Sequence, residues 1–145
     1  MKIYIASSWK NQHAVEMLTS LLRKQGHEIL SFVENQHGEM EGHKAVENGK
    51  PIDFEEWLLT ERAEKSFIYD IDGATKSDLV IYISPSGTDA WAEVGAAFGS
   101  GVPILGLYAK GEPSGLMRKM MDEWYLNYMD ILISVDNYAR CEDIE

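Results

Sequence analysis

The chain of 145 residues has 45% hydrophobic and 26% charged residues, a composition typical of a soluble globular protein. Its length predicts one domain, residues 1–145, with a single hydrophobic core. The formal net charge of -11 excludes general affinity for nucleic acid, because most of the surface would repel phosphate groups. No apolar run reaches the roughly 20 residues that cross a bilayer, and no signal peptide precedes the first strand. We therefore expect neither a nucleic-acid partner nor a membrane partner.

The cysteine and histidine content argues against disulfides and metal sites. Cys141 is the one cysteine of the sequence, which favours a reducing, cytoplasmic location. The histidines lack the spacing of zinc ligands; they are His13, His27, His37 and His43. We therefore expect a cytoplasmic protein that uses no metal ion and no organic cofactor.

The first elements in chain order are a strand, a helix and a second strand. Residues 2–6 form a short apolar run that predicts a strand, and residues 7–11 form a polar loop after it. Apolar residues at helical spacing predict an amphipathic helix over 12–25, which Gly26 ends. The run at 28–33 predicts the second strand.

A long segment without periodicity separates this unit from the next helix. Residues 34–51 carry scattered charge and several glycines, and loops of this length are usually functional or disordered. Asp53 is placed to cap a helix over 53–67. The pattern favours continuation of this helix through residues 68–77.

The central part of the chain predicts a strand, a helix and a further strand. Residues 79–83 are an apolar, β-branched run, as expected for a fully buried strand. A turn at 84–89 leads into a helix whose residues 90–98 are apolar or glycine except for Glu93. The apolar run at 102–107 predicts the next strand.

The C-terminal part predicts one more helix and one more strand. Residues 116–129 carry Met, Trp and Leu side chains at helical spacing, and residues 130–135 predict a short strand. The acidic tail to Glu145 is expected to be loosely held. The methionines of this helix favour a core or a dimer contact, and an interaction face for another protein is the alternative.

This alternation of strands and helices predicts the α/β class. We expect a single-domain, three-layer α/β/α sandwich of the Rossmann or flavodoxin type, with a parallel sheet of five strands. Ligands of such sheets bind beyond the carboxyl ends of the strands, where the strand order reverses. The loops at 7–11 and 84–89 both lie at this edge, so the site is expected there.

Glu93 is the first candidate for chemistry. A glutamate near the start of a helix can simply interact with the helix dipole, which stabilises by about 0.3–1 kcal/mol. That interpretation requires a solvated helix face, whereas nearly every neighbour of Glu93 between Ala90 and Phe98 is apolar. A carboxylate in such surroundings needs a partner, and such groups concentrate at functional sites.

Two further carboxylates precede the central strand, on Asp70 and Asp72. Acidic residues near a helix end are common without any function, and Asp78 at the strand entrance is expected to be structural. Two carboxylates that converge from separate elements are, however, what glycosyl transfer requires. One attacks the anomeric carbon, and the other orients the sugar or handles the proton.

The turn at 84–89 has two interpretations. Its residues Ser84, Ser86, Gly87 and Asp89 are typical helix-capping residues. They are also suited to cradle an anion or a sugar, since free amides at a helix N-terminus bind phosphate. No G-x-S-x-G, Walker or G-x-G-x-x-G motif is present, which excludes the usual hydrolase, NTPase and dinucleotide signatures.

Three stretches resemble the nucleoside 2-deoxyribosyltransferase superfamily, which includes the nucleoside 5′-monophosphate N-glycosidases. The tyrosine and small-residue loop of strand one is similar to Tyr4 with Ser7, Ser8 and Trp9. The aspartate before the central strand matches Asp70 by its spacing to Asp78, with Asp72 as a near alternative. The E-x-G-x-A motif is matched by residues 93–97.

The resemblance implies roles for these residues. It makes Glu93 the nucleophile and Asp70 or Asp72 its partner, with Tyr4 and Trp9 lining the pocket and Ser7 and Ser8 at the 5′ end of the substrate. Transferases of the family carry an aspartate six residues before the nucleophile, where this chain has Gly87, and Asp89 lies out of register. The monophosphate hydrolases place serine and glycine there, as do Ser84, Ser86 and Gly87.

The resemblance implies an enzyme that cleaves or transfers the N-glycosidic bond of a (deoxy)nucleoside or nucleoside 5′-monophosphate. The reaction passes through a covalent glycosyl-enzyme intermediate, and the partner is a small nucleoside or nucleotide. The family's base-contacting residues are partly supplied across a dimer interface, which implies a homodimer or a larger homo-oligomer. The alternative is a catalytically inactive module of the same fold that binds or senses a nucleotide.

Overall fold

A five-stranded parallel sheet forms the centre of the protein, as the sequence predicts. In the computed structural model, which describes residues 1–35, 40–41, 44–47, 50–113 and 115–142, the strand order is β2-β1-β3-β4-β5. The strands are β1 (Lys2–Ala6), β2 (Glu28–Ser31), β3 (Leu79–Ile83), β4 (Ile104–Leu107) and β5 (Glu123–Tyr125). All four pairings are parallel. The order reverses between β1 and β3, which is where such sheets bind ligands.

Helices cover both faces of the sheet, as the predicted three-layer sandwich requires. They are α1 (Gln12–Lys24), α2 (Phe54–Leu58), α3 (Glu61–Lys76), α4 (Thr88–Gly99) and α5 (Tyr128–Glu142). Val15, Leu18, Ile131 and Val135 pack α1 and α5 onto one face of the sheet. Tyr4 and Tyr82 lie on the other face, together with Ala74 of α3 and with Ala90, Val94 and Ala97 of α4. Every residue of β3 is buried, because both of its faces are covered.

The N-terminal boundaries agree with the sequence prediction, with one local difference at the end of β2. Gly26 follows α1 with a φ of 91°, a left-handed conformation that glycine adopts without strain. β2 ends at Ser31 rather than at residue 33, and a 3₁₀ turn (Phe32–Glu34) follows it. Asp53 caps α2, as predicted, by accepting hydrogen bonds from the amides of Glu55 and Glu56.

The helix predicted to run from residue 53 through residue 77 is two helices. Leu59 and Thr60 separate α2 from α3, because the Thr60 side chain accepts a hydrogen bond from the Ala63 amide and starts a new helix. Part of the loop predicted at 34–51 forms three short antiparallel strands, at Met40–Glu41, Lys44–Glu47 and Lys50–Pro51. The rest of that predicted loop, at 36–39, 42–43 and 48–49, lies outside the described residues.

The predictions for residues 116–135 are wrong, whereas the strand predicted at 102–107 is found as β4. The helix predicted at 116–129 is a 3₁₀ helix (Leu116–Met120) followed by β5, and the strand predicted at 130–135 lies inside α5. Pairing with β4 decides the outcome: the Asp122 carboxylate accepts a hydrogen bond from the Ile104 amide at 2.7 Å. The Trp124 ring lies so close to Gly106 that any side chain there would collide with it. The apolar residues of this segment therefore belong to a 3₁₀ turn and to a strand whose Trp124 and Tyr125 are half-buried against the two different core clusters.

Two further expectations for this region concern the acidic tail and the methionines. The chain is helical as far as Glu142, so the acidic tail is ordered to that residue. The methionines do not share one helix: Met121 is buried in the core, while Met117 and Met129 are more than half exposed. No helix in the part of the chain that the structure describes is long and apolar enough to cross a membrane.

Hydrogen bonds fix the loops at the carboxyl edge of the sheet. The Ser7 hydroxyl donates to the Ile83 carbonyl at 2.7 Å, which joins the end of β1 to the end of β3. The Asn11 amide nitrogen donates to Ser7 Oγ at 2.9 Å and to the Pro85 carbonyl at 2.7 Å. The two loops that flank the reversal of strand order are therefore held together by side chains of the β1–α1 loop.

Gly73 of α3 lies directly against the ring of Tyr4. A Cβ atom at this position would come within 2.7 Å of Tyr4 Cε2. Because the Tyr4 side chain is fully buried, it has little room to move. We predict that Gly73→Ala lowers the free energy of unfolding by about 1–3 kcal/mol, measured by urea denaturation. Gly99→Ala is the matched control, since a Cβ there meets nothing within 4 Å. Equal stability of the two variants would contradict the packing described.

Candidate functional site

A buried hydrogen bond between Tyr4 and Glu93 forms the centre of the candidate site. The Tyr4 hydroxyl donates to Glu93 Oε2 at 3.1 Å. Tyr4 comes from the middle of β1, and Glu93 comes from the second turn of α4. Ala90, Val94 and Ala97 of that helix pack on the sheet, and this orientation directs Glu93 sideways toward β1. The glutamate that the sequence places among apolar residues therefore has a specific partner.

Asp70 of α3 is the second carboxylate of this site. It interacts with the Tyr4 hydroxyl, so the one phenol contacts both carboxylates. The Asn35 amide nitrogen lies 3.5 Å from Asp70 Oδ1 and donates to Ser66 Oγ at 2.8 Å. Asn35, which follows β2, was not among the residues proposed from the sequence, because no motif or periodicity marks it. The structure thus brings β1, α3, α4 and the end of β2 together around Glu93.

Burial shifts the proton affinities of all three groups. It raises the pKa of Glu93 well above its ordinary value, and the charges of Asp70 and Asp89 add to that rise. The hydrogen bond from Tyr4 acts in the opposite direction, because it favours the ionised carboxylate. Burial also raises the pKa of Asp70 from 3.8 to about 6, and that of Tyr4 well above 10. Such a group of perturbed carboxylates is typical of sites that carry chemistry.

The other candidate aspartates take different positions. Asp72 Oδ1 lies 3.1 Å from Lys76 Nζ, in a half-exposed ion pair along α3. Asp70 is therefore the member of this pair that reaches Tyr4 and Glu93. Asp89, in the first turn of α4, is exposed but close enough for its charge to raise the pKa values of both Asp70 and Glu93. Three carboxylates thus share this part of the molecule.

The predicted serines of the edge loops bind the protein itself. Ser84 Oγ accepts a hydrogen bond from the Ala109 amide at 2.7 Å, and Ser84 is 1% exposed. Ser86 Oγ lies 2.6 Å from the Tyr82 hydroxyl, and that hydroxyl donates in turn to Glu112. Ser8 accepts from the Lys10 amide at the start of a 3₁₀ turn (Trp9–Asn11). With Ser7 also bound to Ile83, these hydroxyls hold the loops in place.

The remaining two pocket candidates differ in their contacts. The ring of Trp9 packs edge-on against Phe32, with the ring centres 5.2 Å apart. Gly87 is the exposed N-cap residue of α4, directly before the turn that carries Asp89. Gly87 therefore lies beside the carboxylate cluster, whereas Trp9 closes the β1–α1 loop against the end of β2.

A second polar network lies on the far side of α4 and was not foreseen from the sequence. Glu112 Oε1 accepts from Trp91 Nε1 at 2.7 Å and from the Tyr82 hydroxyl. The ring of Tyr82 lies 4.8 Å from that of Trp91. Glu112 belongs to a polar loop without periodicity, so no sequence signal linked it to Tyr82. The network ties the loop after β4 to α4 and to Ser86.

The structure also has a cavity of about 740 Å³ on the opposite face of the sheet. Residues of α1, of the strand ends and of the start of α5 line it, among them Met17, Leu21 and Leu126. Its lining is mostly apolar and contains none of Tyr4, Asp70 and Glu93. Within the described ranges, no group of three His, Cys, Asp or Glu side chains is arranged to hold a metal ion. The carboxylate cluster, rather than this cavity, carries the groups that can perform a reaction.

Comparison with solved structures shows which fold this is. A 2-deoxyribosyltransferase from the psychrotolerant bacterium Bacillus psychrosaccharolyticus is 24% identical; the match covers 91% of this chain and 90% of that chain, with a TM-score of 0.69. The CMP N-glycosidase BcmB of Clostridium botulinum is 16% identical over 94% and 99% of the two chains, with a TM-score of 0.57. A conserved protein from Enterococcus faecalis V583 is 14% identical over 95% and 98%, with a TM-score of 0.61.

These likenesses confirm, at the level of the fold, the resemblance seen in the sequence. The chain has the α/β fold of the 2-deoxyribosyltransferases along nearly its whole length. Neither a protein-family model nor a curated protein matches the sequence.

The raised pKa of Asp70 predicts a pH-dependent cost to stability. The folded protein binds this proton more tightly than the unfolded chain, so the free energy of unfolding falls as the pH rises from 3.8 to about 6. Asp70→Asn, which cannot ionise, is expected to raise the free energy of unfolding by about 1–3 kcal/mol at pH 8 and by little at pH 4. Urea denaturation at the two pH values measures this difference. Asp72→Asn is the control and should give no such gain; an equal gain from Asp70→Asn at both pH values would refute the assignment.

Proposed function

We propose that the protein cleaves or transfers the N-glycosidic bond of a (deoxy)nucleoside or nucleoside 5′-monophosphate, with Glu93 as the nucleophile. The hydrogen-bonded cluster of Tyr4, Glu93 and Asp70 is the observation that carries this proposal. It lies where the strand order reverses between β1 and β3. Two proteins of the same fold, a 2-deoxyribosyltransferase and a CMP N-glycosidase, act on this type of bond.

The proposed reaction is a double displacement at C1′ of the sugar. A carboxylate oxygen of Glu93 forms a bond to C1′ while the C1′–N bond breaks, and its electron pair leaves with the base, which takes up a proton. The product is a glycosyl ester of Glu93, reached through an oxocarbenium-like transition state. Water or the nitrogen of a second base then attacks C1′ and loses its proton, and the Glu93 carboxylate is released. These steps consume no oxidant or reductant.

Each group of the cluster has a role in these steps. Tyr4 holds Glu93 through Oε2, which orients the carboxylate for attack through its other oxygen. Burial removes water from Glu93, so its charge is available to the developing oxocarbenium ion. Asp70 has a pKa of about 6, so it can bind a sugar hydroxyl or exchange a proton near neutral pH. We assign Gly87 and Ser8 to the 5′ end of the sugar, as the resemblance implies.

We further propose that the protein works in the cytoplasm as a homodimer or larger homo-oligomer. The exposed apolar side chains around the start of α5 are suited to a subunit contact; they are Leu126, Tyr128, Met129 and Ile133. Cys141 is unpaired and exposed, which is compatible with a reducing compartment. The net charge of -11 favours a small ligand over nucleic acid.

We predict that Glu93→Gln lowers kcat/KM for release of the base by at least about 10³-fold, because an amide cannot form the glycosyl ester. A panel of deoxynucleosides and their monophosphates, with chromatography of the free base, measures the effect. Acid quenching during turnover, followed by mass spectrometry of the peptide that contains Glu93, should reveal the sugar adduct. Glu28→Gln, the same substitution at an exposed position at the start of β2, is the control with unchanged rate. Undiminished cleavage by Glu93→Gln would overturn the mechanism, and binding without any cleavage by the natural chain would favour the inactive module.

We predict that Tyr4→Phe moves the acidic limb of the pH profile to higher pH. The hydrogen bond that Tyr4 donates favours the ionised form of Glu93, so its loss raises the pKa of the nucleophile further. The rate of base release at neutral pH should fall about tenfold or more. Tyr125→Phe removes a hydroxyl that bonds Ser134 and Glu123 elsewhere, and it should leave the limb in place. An unmoved limb in Tyr4→Phe would contradict the role given to this hydrogen bond.

A further inference from the structure

We infer that this site takes an unphosphorylated nucleoside in preference to a nucleoside 5′-monophosphate, and that Asp89 sets this preference. The inference rests on the proposed function, since it places the sugar of the substrate against Glu93. The loop sequence around Ser84, Ser86 and Gly87 favours a phosphate. The contacts that these residues make in the folded protein favour a neutral 5′-hydroxyl.

Asp89 lies close to the proposed reaction centre. It is exposed in the first turn of α4, four residues before Glu93. Residues at this spacing lie on one face of a helix, about 6 Å apart. The charge of Asp89 reaches both Glu93 and Asp70, as the higher pKa values of those two groups show. Asp89 therefore lies on the solvent side of the same cluster, where a substrate enters.

A 5′-phosphate would be held near these carboxylates. It is carried on the same sugar ring whose C1′ contacts Glu93, so it cannot lie far from Asp89 or Asp70. The charges that act on Glu93 are the carboxylates of Asp70 and Asp89, and the charge that acts on Asp70 is the carboxylate of Asp89. Around the reacting carboxylates the local charge is therefore negative, which disfavours a dianionic group and does not affect a neutral one.

Ser7, Ser84 and Ser86, three of the four serines that the sequence offers to a phosphate, are hydrogen-bonded or buried, and the fourth, Ser8, accepts a hydrogen bond from the Lys10 amide. Ser7 donates its proton to the Ile83 carbonyl. The Tyr82 hydroxyl donates to Glu112, so Ser86 is the donor in its 2.6 Å contact with Tyr82. Ser84 is buried. A phosphate at this edge would therefore have to break internal hydrogen bonds to gain these donors, which costs affinity.

The N-terminus of α4 does not reverse this balance. Free amides and the helix dipole attract an anion at such a position. Asp89 already places a carboxylate in that first turn, so a phosphate would compete with a charge of its own sign. A neutral 5′-hydroxyl has the opposite relation to Asp89, since it can donate a hydrogen bond to the carboxylate. A site built to bind a hydroxyl group discriminates strongly by this means.

Matched substrate pairs test the inference. The kcat/KM for base release is measured for each of four deoxynucleosides and its 5′-monophosphate at one fixed ionic strength, because salt screens the effect. The natural chain is expected to prefer each nucleoside by about tenfold or more. Asp89→Asn should reduce this ratio at least about tenfold, by slowing the nucleoside and accelerating the monophosphate. Asp89→Ser is a second variant with the same expected direction.

Glu28→Gln is the matched control. Glu28 is also an exposed carboxylate, but it begins β2, at the amino-terminal edge of the sheet and away from the loops that flank the site. Its substitution changes the net charge by the same amount, and the ratio should stay at the natural value. A reduced ratio in Glu28→Gln would show that overall charge, rather than Asp89, sets the preference.

The outcomes separate this inference from the proposed function. Faster cleavage of monophosphates by the natural chain would overturn the inference and leave glycosidic cleavage in place. A nucleoside preference that survives in both Asp89 variants would overturn the role of Asp89. If neither substrate class is cleaved, the proposed function fails. In that case calorimetry measures the dissociation constants of a nucleoside and of its monophosphate for the natural chain and for Asp89→Asn. The inference requires that the natural chain binds the nucleoside more tightly and that Asp89→Asn reduces the ratio of the two constants.

Discussion

The hydrogen bond between Tyr4 and Glu93 is the interaction on which the arrangement of the site depends. It connects strand β1 to helix α4. It also gives the buried carboxylate of Glu93 the hydrogen-bond donor that such a group needs. Tyr4 is fully buried, and its ring is flanked by Gly73 of α3. A larger residue at position 73 would displace the ring, so the helix that carries Asp70 can approach only because of this glycine. One phenol thus fixes the distance between two helices and the orientation of two carboxylates.

This arrangement works against stability, because burial disfavours the ionised forms of Glu93 and Asp70. The cost is offset by the core around them. β3 is covered on both faces, and α4 packs its small apolar residues closely on the sheet. Strained or desolvated groups persist where the surrounding structure is well determined. A rigid parallel sheet is therefore a suitable support for a carboxylate nucleophile that must be dry and oriented before the substrate arrives.

Two pairs of tyrosine and glutamate lie on this face of the sheet, and their surroundings give them different roles. Tyr4 and Glu93 are next to Asp70 and Asp89, and together these form a cluster of acidic groups at the reversal of strand order. Tyr82 and Glu112 are next to Ser86 and Trp91, and they bind the loop after β4 to α4. In the second pair, Tyr82 forms a hydrogen bond with Ser86, and Glu112 accepts from Trp91 of α4. The same residue types therefore position a loop in one place and carry chemistry in the other, according to what lies beside them.

Local sequence determined much of this protein. The runs at β1 and β3, the period of α1, the stop at Gly26 and the cap at Asp53 depend on short-range preferences, and all are found in the structure. Glu93 stood out as the polar residue of an apolar helix, and a buried carboxylate of this kind needs a partner. The alternation of elements was sufficient to imply a parallel sheet of five strands.

Only the tertiary structure decided the rest, because the deciding contacts join residues far apart in the chain. Residues 116–129 have helical spacing, but pairing with β4 and the space above Gly106 make residues 123–125 a strand. Spacing to Asp78 favours Asp70 and leaves Asp72 as an alternative, and only the packing of α3 shows that Asp70 interacts with Tyr4 while Asp72 pairs with Lys76. From the sequence, the serines of the edge loops are predicted to contact a ligand. In the structure they form hydrogen bonds with Ile83, Tyr82 and Ala109 instead. Hydrogen bonds between residues so far apart in the chain produce no periodic pattern in the sequence.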